Sequence, residues 1–226
     1  MLGVDNRPAV ASFSQHSNYD HNLIDLAERA DTDWLRRAPE RAAIEGLIHC
    51  AAYFPVANCL DVDEVRRAFE VNVFSGIRIA SCLLKNTNDR RFVACFILSP
   101  LGYWTVSGRS VYSATKAALE RFAEGSQIEA VDGHSPGVAI VGLRSGFFQS
   151  DLLSRSGPTW GTRLQGIISR PASVVANRVV NSVLREPRTS RLVNITWDAR
   201  LGTFFAPIIR HGQIVKSSVR RVEWRS

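Results

Sequence analysis

Ser110-Val111-Tyr112-Ser113-Ala114-Thr115-Lys116-Ala117-Ala118-Leu119-Glu120-Arg121-Phe122-Ala123 decides how the rest of the chain is read. Alanines, a leucine and a phenylalanine recur at helical spacing, and neither proline nor glycine interrupts them before Gly125. The stretch therefore reads as a helix. Tyr112 and Lys116 are four apart, which places them one above the other on a single face. An ammonium beside a phenol favours the phenolate. A phenol must come down by about 3 pKa units from about 10 to exchange protons at neutral pH, a differential stabilisation of about 4 kcal/mol. The lysine would supply part of it.

Upstream, the run Phe92-Val93-Ala94-Cys95-Phe96-Ile97-Leu98 has the length and composition of a strand buried on both faces. It ends in Ser99, which places that hydroxyl at the carboxyl end of a strand, where open α/β sheets keep their chemistry. Further back, Asn72 lies inside a helical pattern that begins near Asp63. A serine at a strand tip, a Tyr/Lys pair on the following helix and an asparagine on the preceding one together resemble the catalytic set of the short-chain dehydrogenase/reductase family. The resemblance runs from Gly3 to about Trp197. It implies reversible hydride transfer between a nicotinamide cofactor and a secondary alcohol or carbonyl compound. Tyr112 would handle the proton, Lys116 would lower its pKa and hold the nicotinamide ribose, and Ser99 would bond the substrate oxygen. Asn72 would hold a water that relays protons toward the lysine.

Composition agrees with a single soluble domain. The chain has 226 residues, 45% hydrophobic and 22% charged, with a net charge of +7. The basic residues are dispersed, so solvated surface is favoured over nucleic-acid binding. Cys50, Cys59, Cys82 and Cys95 show neither a C-x-x-C motif nor metal spacing, as expected of reduced thiols in the cytoplasm. No apolar stretch is long enough to span a membrane. Buried strands alternating with amphipathic helices give the fold class independently of the resemblance: a doubly wound parallel α/β sheet of Rossmann type, three-layered αβα.

The cofactor half is incomplete. Leu2–Asp5 resembles the family's second strand, with Asp5 at the position that accepts from the adenosine ribose hydroxyls. A carboxylate there repels a 2′-phosphate, so NAD is expected over NADP, although Arg7 could soften that preference. Asn22, Leu23 and Asp25 take the place of the Asp-Val-x-Asp turn beside the adenine. His49-Cys50-Ala51-Ala52 stands where the family shows Asn-Asn-Ala-Gly. Ala51 and Ala52 leave room for a cofactor, and His49 reads as structural. No glycine-rich turn of the pyrophosphate-binding kind occurs in the sequence. The expectation is a domain lacking its first strand, first helix and phosphate loop. A different class of function is therefore carried alongside: a non-catalytic relative acting as a binding or regulatory partner.

Between these landmarks the pattern is regular. Helical residues run from about Thr32 to Arg41. Asp61, Asp63 and Glu64 head a helix reaching Leu84, with Val65, Phe69, Val73, Ile77 and Ala80 as its buried stripe and Asn72 off it. Gly137–Leu143 reads as a strand delivering Arg144–Asp151, similar to the family's Pro-Gly-x-x-x-Thr, with Gly146 and Ser150 against the nicotinamide. The segment through Ser169 would form a substrate lid. Its apolar residues, with Tyr103 and Trp104, suggest a hydrophobic substrate. A further helix begins near Pro171 and a last strand covers Ser190–Trp197. Residues 198–226 are a basic tail whose alternatives are a solvated terminus or weak attachment to an anionic membrane surface. The family resemblance also implies a homodimer or homotetramer.

Overall fold

A computed structural model describes residues 2–5, 20–27, 44, 46–55, 60–84, 92–103, 105, 108–132, 138–146, 170–185 and 191–194. The expected helix at 32–41, Trp104, the lid at 147–169, Ser150, the residues of the last strand beyond 194 and the tail from 198 lie outside these residues.

The seven-residue apolar run forms β4 (Phe92–Leu98), and every side chain in it is buried. It is the spine of a parallel sheet ordered β3-β4-β5-β6, with β3 at Gly46–His49, β5 at Val138–Arg144 and β6 at Arg191–Asn194. Register pairs Ile48 with Cys95, Cys95 with Val141 and Val141 with Arg191. Side chains alternate across the pleat. Phe92, Ala94, Phe96 and Leu98 therefore meet one helical layer, packing with Ile79, Leu83, Leu119 and Ala123. Val93, Cys95 and Ile97 point the other way and pack with Val175 and Val179. Two apolar faces on one strand need helices on both sides, and that is the three-layer αβα arrangement the sequence predicts.

The single continuous sheet is not observed among the described residues. β1 (Leu2–Asp5) and β2 (Asp20–Leu23) form a separate parallel pair, with Asp5 opposite Leu23 and Val4 opposite Asn22. Among the described residues β3 pairs with β4 only. Ile48 on β3 is 46% exposed, whereas its neighbour Cys95 on β4 is fully buried. Just after β2, Asp25 pairs with Arg67 of a later helix at 2.8 Å and Leu26 packs against the core that includes Ile79 and Leu119.

The expected helix from Asp63 to Leu84 is present, with a break in its period. Asp61 caps it, its carboxylate accepting from Asp63 N at 3.1 Å and Glu64 N at 3.2 Å. α1 (Val62–Phe69) passes into a π turn at Glu70–Phe74 and continues as α2 (Ser75–Leu84). The Ser75 N–H reaches back to the Glu70 carbonyl, so one extra residue is accommodated in the turn. That insertion rotates everything after it. Asn72, expected off the buried stripe, is fully buried, and Ile77, after the turn, is only half-buried, while Val73 and Ala80 of the expected stripe are buried; Val65 and Phe69, before the turn, are half-buried. α3 (Ser110–Val131) runs straight through Gly125, and α4 (Ala172–Arg185) covers the opposite face. Among the described residues no helix is long and apolar enough to cross a membrane.

Candidate active site

Three of the four expected catalytic residues meet at the carboxyl end of β4. Tyr112 and Lys116 lie on the inward face of α3, at 8% and 3% exposure. Their four-residue spacing puts the Lys116 ammonium 5.7 Å from the Tyr112 ring centroid. Ser99, the first residue after β4, is hydrogen-bonded through its hydroxyl to the Tyr112 phenol. Ser99 is itself fixed as the cap of a 3₁₀ turn, accepting from Leu101 N at 3.3 Å. Lys116 Nζ donates to the Ile97 carbonyl at 2.9 Å, so the end of β4 holds both polar members. Gly102 sits where a Cβ would come within 3.2 Å of the Lys116 carbonyl oxygen, and its small size lets that turn press against α3.

Burial dominates the electrostatics here. Tyr112 is pushed up to about 12 by desolvation, partly opposed by the Ser99 hydrogen bond. Sequence reasoning expected the lysine to pull this phenol toward neutrality. The apolar surroundings outweigh it, and the phenol stays protonated throughout the neutral range. Lys116 moves down to about 8 for the same reason, with nearby Cys50 opposing the shift. It remains mostly cationic at pH 7. A neutral phenol held by a hydroxyl and flanked by an ammonium can give up a proton to an oxygen placed between tyrosine and serine, and the ammonium then faces the phenolate left behind.

Asn72 reaches this group indirectly. Its Oδ1 accepts from Tyr53 N at 2.6 Å, and its Nδ2 donates to Tyr53 O at 2.9 Å and Thr115 Oγ1 at 2.9 Å. The asparagine thereby clamps the exit of β3, where Ala51 and Ala52 are half-buried, to α3. Thr115 in turn donates to the Tyr112 carbonyl at 2.7 Å. The π turn is what swings Asn72 inward to make these bonds. Sequence reasoning missed Thr115 and the Tyr53 clamp, because a threonine within a helix carries no signal until its partner is known.

His49 is structural, as its position at a strand end suggested. The ring is 4% exposed and occupies the space beside Gly76, where a Cβ would lie 2.6 Å from His49 Cγ. It makes an edge-on contact with Phe96 at 6.0 Å. Burial and the Lys116 charge lower its pKa to about 4, against hydrogen bonds to the backbone of Asn72 and Val71. A histidine held neutral in this way braces the π turn.

The expected cofactor residues are more scattered. Asp5 closes β1 opposite Leu23, and Asn22 lies one step back in β2. Asp25 accepts from Ala27 N at 2.9 Å and pairs with Arg67. Gly146 has φ of 70°, a left-handed turn favouring glycine, immediately after Ser145, which donates to Leu98 O at 3.3 Å. At the nicotinamide end the residues fit a cofactor: two small side chains at the β3 exit, a turn glycine after β5, and a buried ammonium with one of its protons on Ile97. At the pyrophosphate end the sequence offers no glycine-rich turn. Among the described residues no cluster suited to a metal ion occurs.

The sequence model of the family described as short chain dehydrogenase matches residues 14–159. No curated protein matches the chain. Among solved structures, a short-chain dehydrogenase from Streptomyces avermitilis is similar at 21% identity and a TM-score of 0.72, over 99% of this chain and 88% of that one. A short chain dehydrogenase from Burkholderia cenocepacia in complex with NADP is similar at 18% identity and TM-score 0.67, over 89% and 79%. A 4-hydroxyisoleucine dehydrogenase mutant complexed with NADH and succinate follows at 14% and 0.69, over 85% and 86%.

Proposed function

The chain belongs to the short-chain dehydrogenase family, and we propose that it transfers hydride reversibly between NAD(H) and a hydrophobic secondary alcohol or carbonyl compound. The observation that carries this reading is the convergence of Ser99, Tyr112 and Lys116 at the tip of one buried strand. The nicotinamide, when bound, supplies or accepts the hydride. In the reducing direction Ser99 and Tyr112 bond the carbonyl oxygen, the phenol proton passes to it, and Lys116 stabilises the resulting phenolate. The reverse direction returns that proton. Asn72 keeps the β3 exit and α3 in register and supports the proton relay toward Lys116. Cofactor contacts fall to Asp5, Asn22, Leu23, Ala51, Ala52, Gly146 and Ser150, with Lys116 and Tyr112 on the ribose. The neighbouring structures were solved with NADP in one case and NADH in another, and the choice of NAD rests on the Asp5 carboxylate. Phe54, 5.0 Å from the Tyr112 ring centroid to centroid, supports an apolar substrate environment. A cytoplasmic homodimer or homotetramer that does not bind nucleic acid completes the proposal.

One observation favours the second reading, a non-catalytic binding or regulatory partner: the sequence has no glycine-rich turn for the pyrophosphate. Titration with NADH separates the two. Saturable binding in the micromolar range, weakened by Lys116→Ala, supports the dehydrogenase. Absence of binding supports the partner.

A further inference from the structure

We propose that Arg144 is a positioning residue: joined to Glu120 of α3 and lying over Tyr103, it sets where the Tyr112 phenol stands relative to Ser99 and to the turn at Gly146. Its chemical purpose rests on the dehydrogenase reading, while the placement of the phenol stands on geometry. Arg144 is the last residue of β5. Its Nε donates to Glu120 Oε1 at 2.8 Å, its Nη2 donates to the same oxygen, and Glu124 Oε1 lies 3.7 Å from Nη2. Its Cζ lies 5.2 Å from the centroid of the Tyr103 ring. Each partner belongs to an element that carries part of the site. Glu120 is one turn beyond Lys116 and two beyond Tyr112 on α3, and Tyr103 closes the 3₁₀ turn that starts at Ser99. The next residue, Ser145, donates to Leu98 O, one position before Ser99, and Gly146 follows it. The exit of β5 is thus fixed to the end of β4, and Arg144 carries that frame across to the helix.

Energetics favour a geometric purpose over a stabilising one. Arg144 and Glu120 are 7% and 2% exposed, and two charges taken out of water regain little net stability from each other. Glu120 Oε2 is also buried with no hydrogen-bond partner among the described residues, a further cost. An apolar pair of similar size would be about as stable there. What it would lack is direction. Leu119 and Ala123 join α3 to β4 through apolar contacts, which resist sliding along the helix axis only weakly, whereas a guanidinium–carboxylate bond has a fixed distance and angle. Lys116 Nζ on Ile97 O is the second fixed point, one turn nearer the phenol. Two such points on one helix set both its height and its rotation over the sheet. Desolvation, with the Glu124 charge adding to it, pushes the Glu120 carboxyl up to about 7 against Arg121, so at pH 8 a carboxylate meets the guanidinium.

Carbon-13 NMR of the full chain at pH 8, labelled at the ζ carbon of its four tyrosines, tests this. Tyr112→Phe assigns the resonance, and Ser99→Ala calibrates the displacement that follows loss of the bond between Ser99 and the phenol. Arg144→Met combined with Glu120→Leu removes both charges and is expected to fold, with the Tyr112 resonance moved by about half of the calibrating displacement or more. Arg144→Lys keeps the charge without the fork and should give a smaller movement in the same direction, and it carries the test if the double variant does not fold. Val179→Ala opens a cavity on the opposite face of the sheet and should lower the thermal midpoint while leaving the resonance in place. An unmoved resonance in the folded pair variants overturns the proposal. An equal movement in Val179→Ala overturns it too, because the pair would then act only through general stability. NADH titration of the same samples keeps the two ideas separate. A moved resonance with no NADH binding by the wild type would count against the dehydrogenase reading and leave the positioning standing, whereas NADH binding with an unmoved resonance would do the reverse.

Discussion

At the scale of single residues, the site is governed by what is taken out of water. Tyr112, Lys116 and His49 each move away from their charged forms because they are buried. His49 gives this a measurable consequence. The folded ring stays neutral down to about pH 4, while the unfolded ring takes up its proton near 6.5. Between those values the unfolded chain binds more protons, so stability falls as the pH drops through that window, by up to about 3 kcal/mol. His49→Gln removes this contribution. Urea melts from pH 7 to pH 4.5 should show a smaller loss of stability in the variant than in the wild type, and parallel slopes would refute the assignment. Tyr112, Lys116 and Ser99 were legible in the sequence because each lies at a fixed step from a strong element: a buried strand's end or one helix face. Thr115 was not. Its importance depends on Asn72, 43 positions away in the chain, and no local pattern reports such a pairing.

At the scale of elements, apolar runs and helical spacing gave β4, β5, α3 and α4 close to where they are observed, because burial on both faces leaves few alternatives. The π turn at Glu70–Phe74 was illegible. One extra residue in a helical turn changes no composition, yet it shifts the phase of all that follows and carries Asn72 from an expected margin to full burial. Gly125 shows the opposite situation, a helix that continues across a residue poorly suited to it. A Cβ there would meet nothing within 4 Å, and the position lies in the interior of α3. Gly125→Ala should therefore stabilise the protein by about 1 kcal/mol, raising the thermal midpoint by about 2–4 °C. An unchanged or lowered midpoint in calorimetry would show that the glycine serves some packing need. Gly76 contrasts with it, since its missing side chain is the space that His49 fills.

For the whole molecule, stability is concentrated in the middle of the four-stranded sheet. β4 and β5 are paired on both sides and packed between two apolar layers. Among the described residues β3 is paired on one side, and β1 and β2 form their own small sheet. Amide exchange should follow that order, with β4 and β5 protected to nearly the global unfolding free energy and β1–β3 exchanging at least about tenfold faster. Uniform protection across all strands would mean that the two sheets open as one unit. The parallel three-layer domain was legible in the sequence, because apolar strands alternating with amphipathic helices leave few other arrangements. Among the described residues β1 and β2 pair apart from the larger sheet, and the apolar pattern within a strand does not report which strand it pairs with.

The claim on which function depends is that the Tyr112 phenol is the proton donor of a hydride transfer. Single-turnover oxidation of NADH with a carbonyl substrate, wild type against Tyr112→Phe, addresses it most directly. The account predicts a fall in rate of about 10²–10⁴-fold with NADH affinity changed less than about threefold. An unaltered rate in the phenylalanine variant would contradict it.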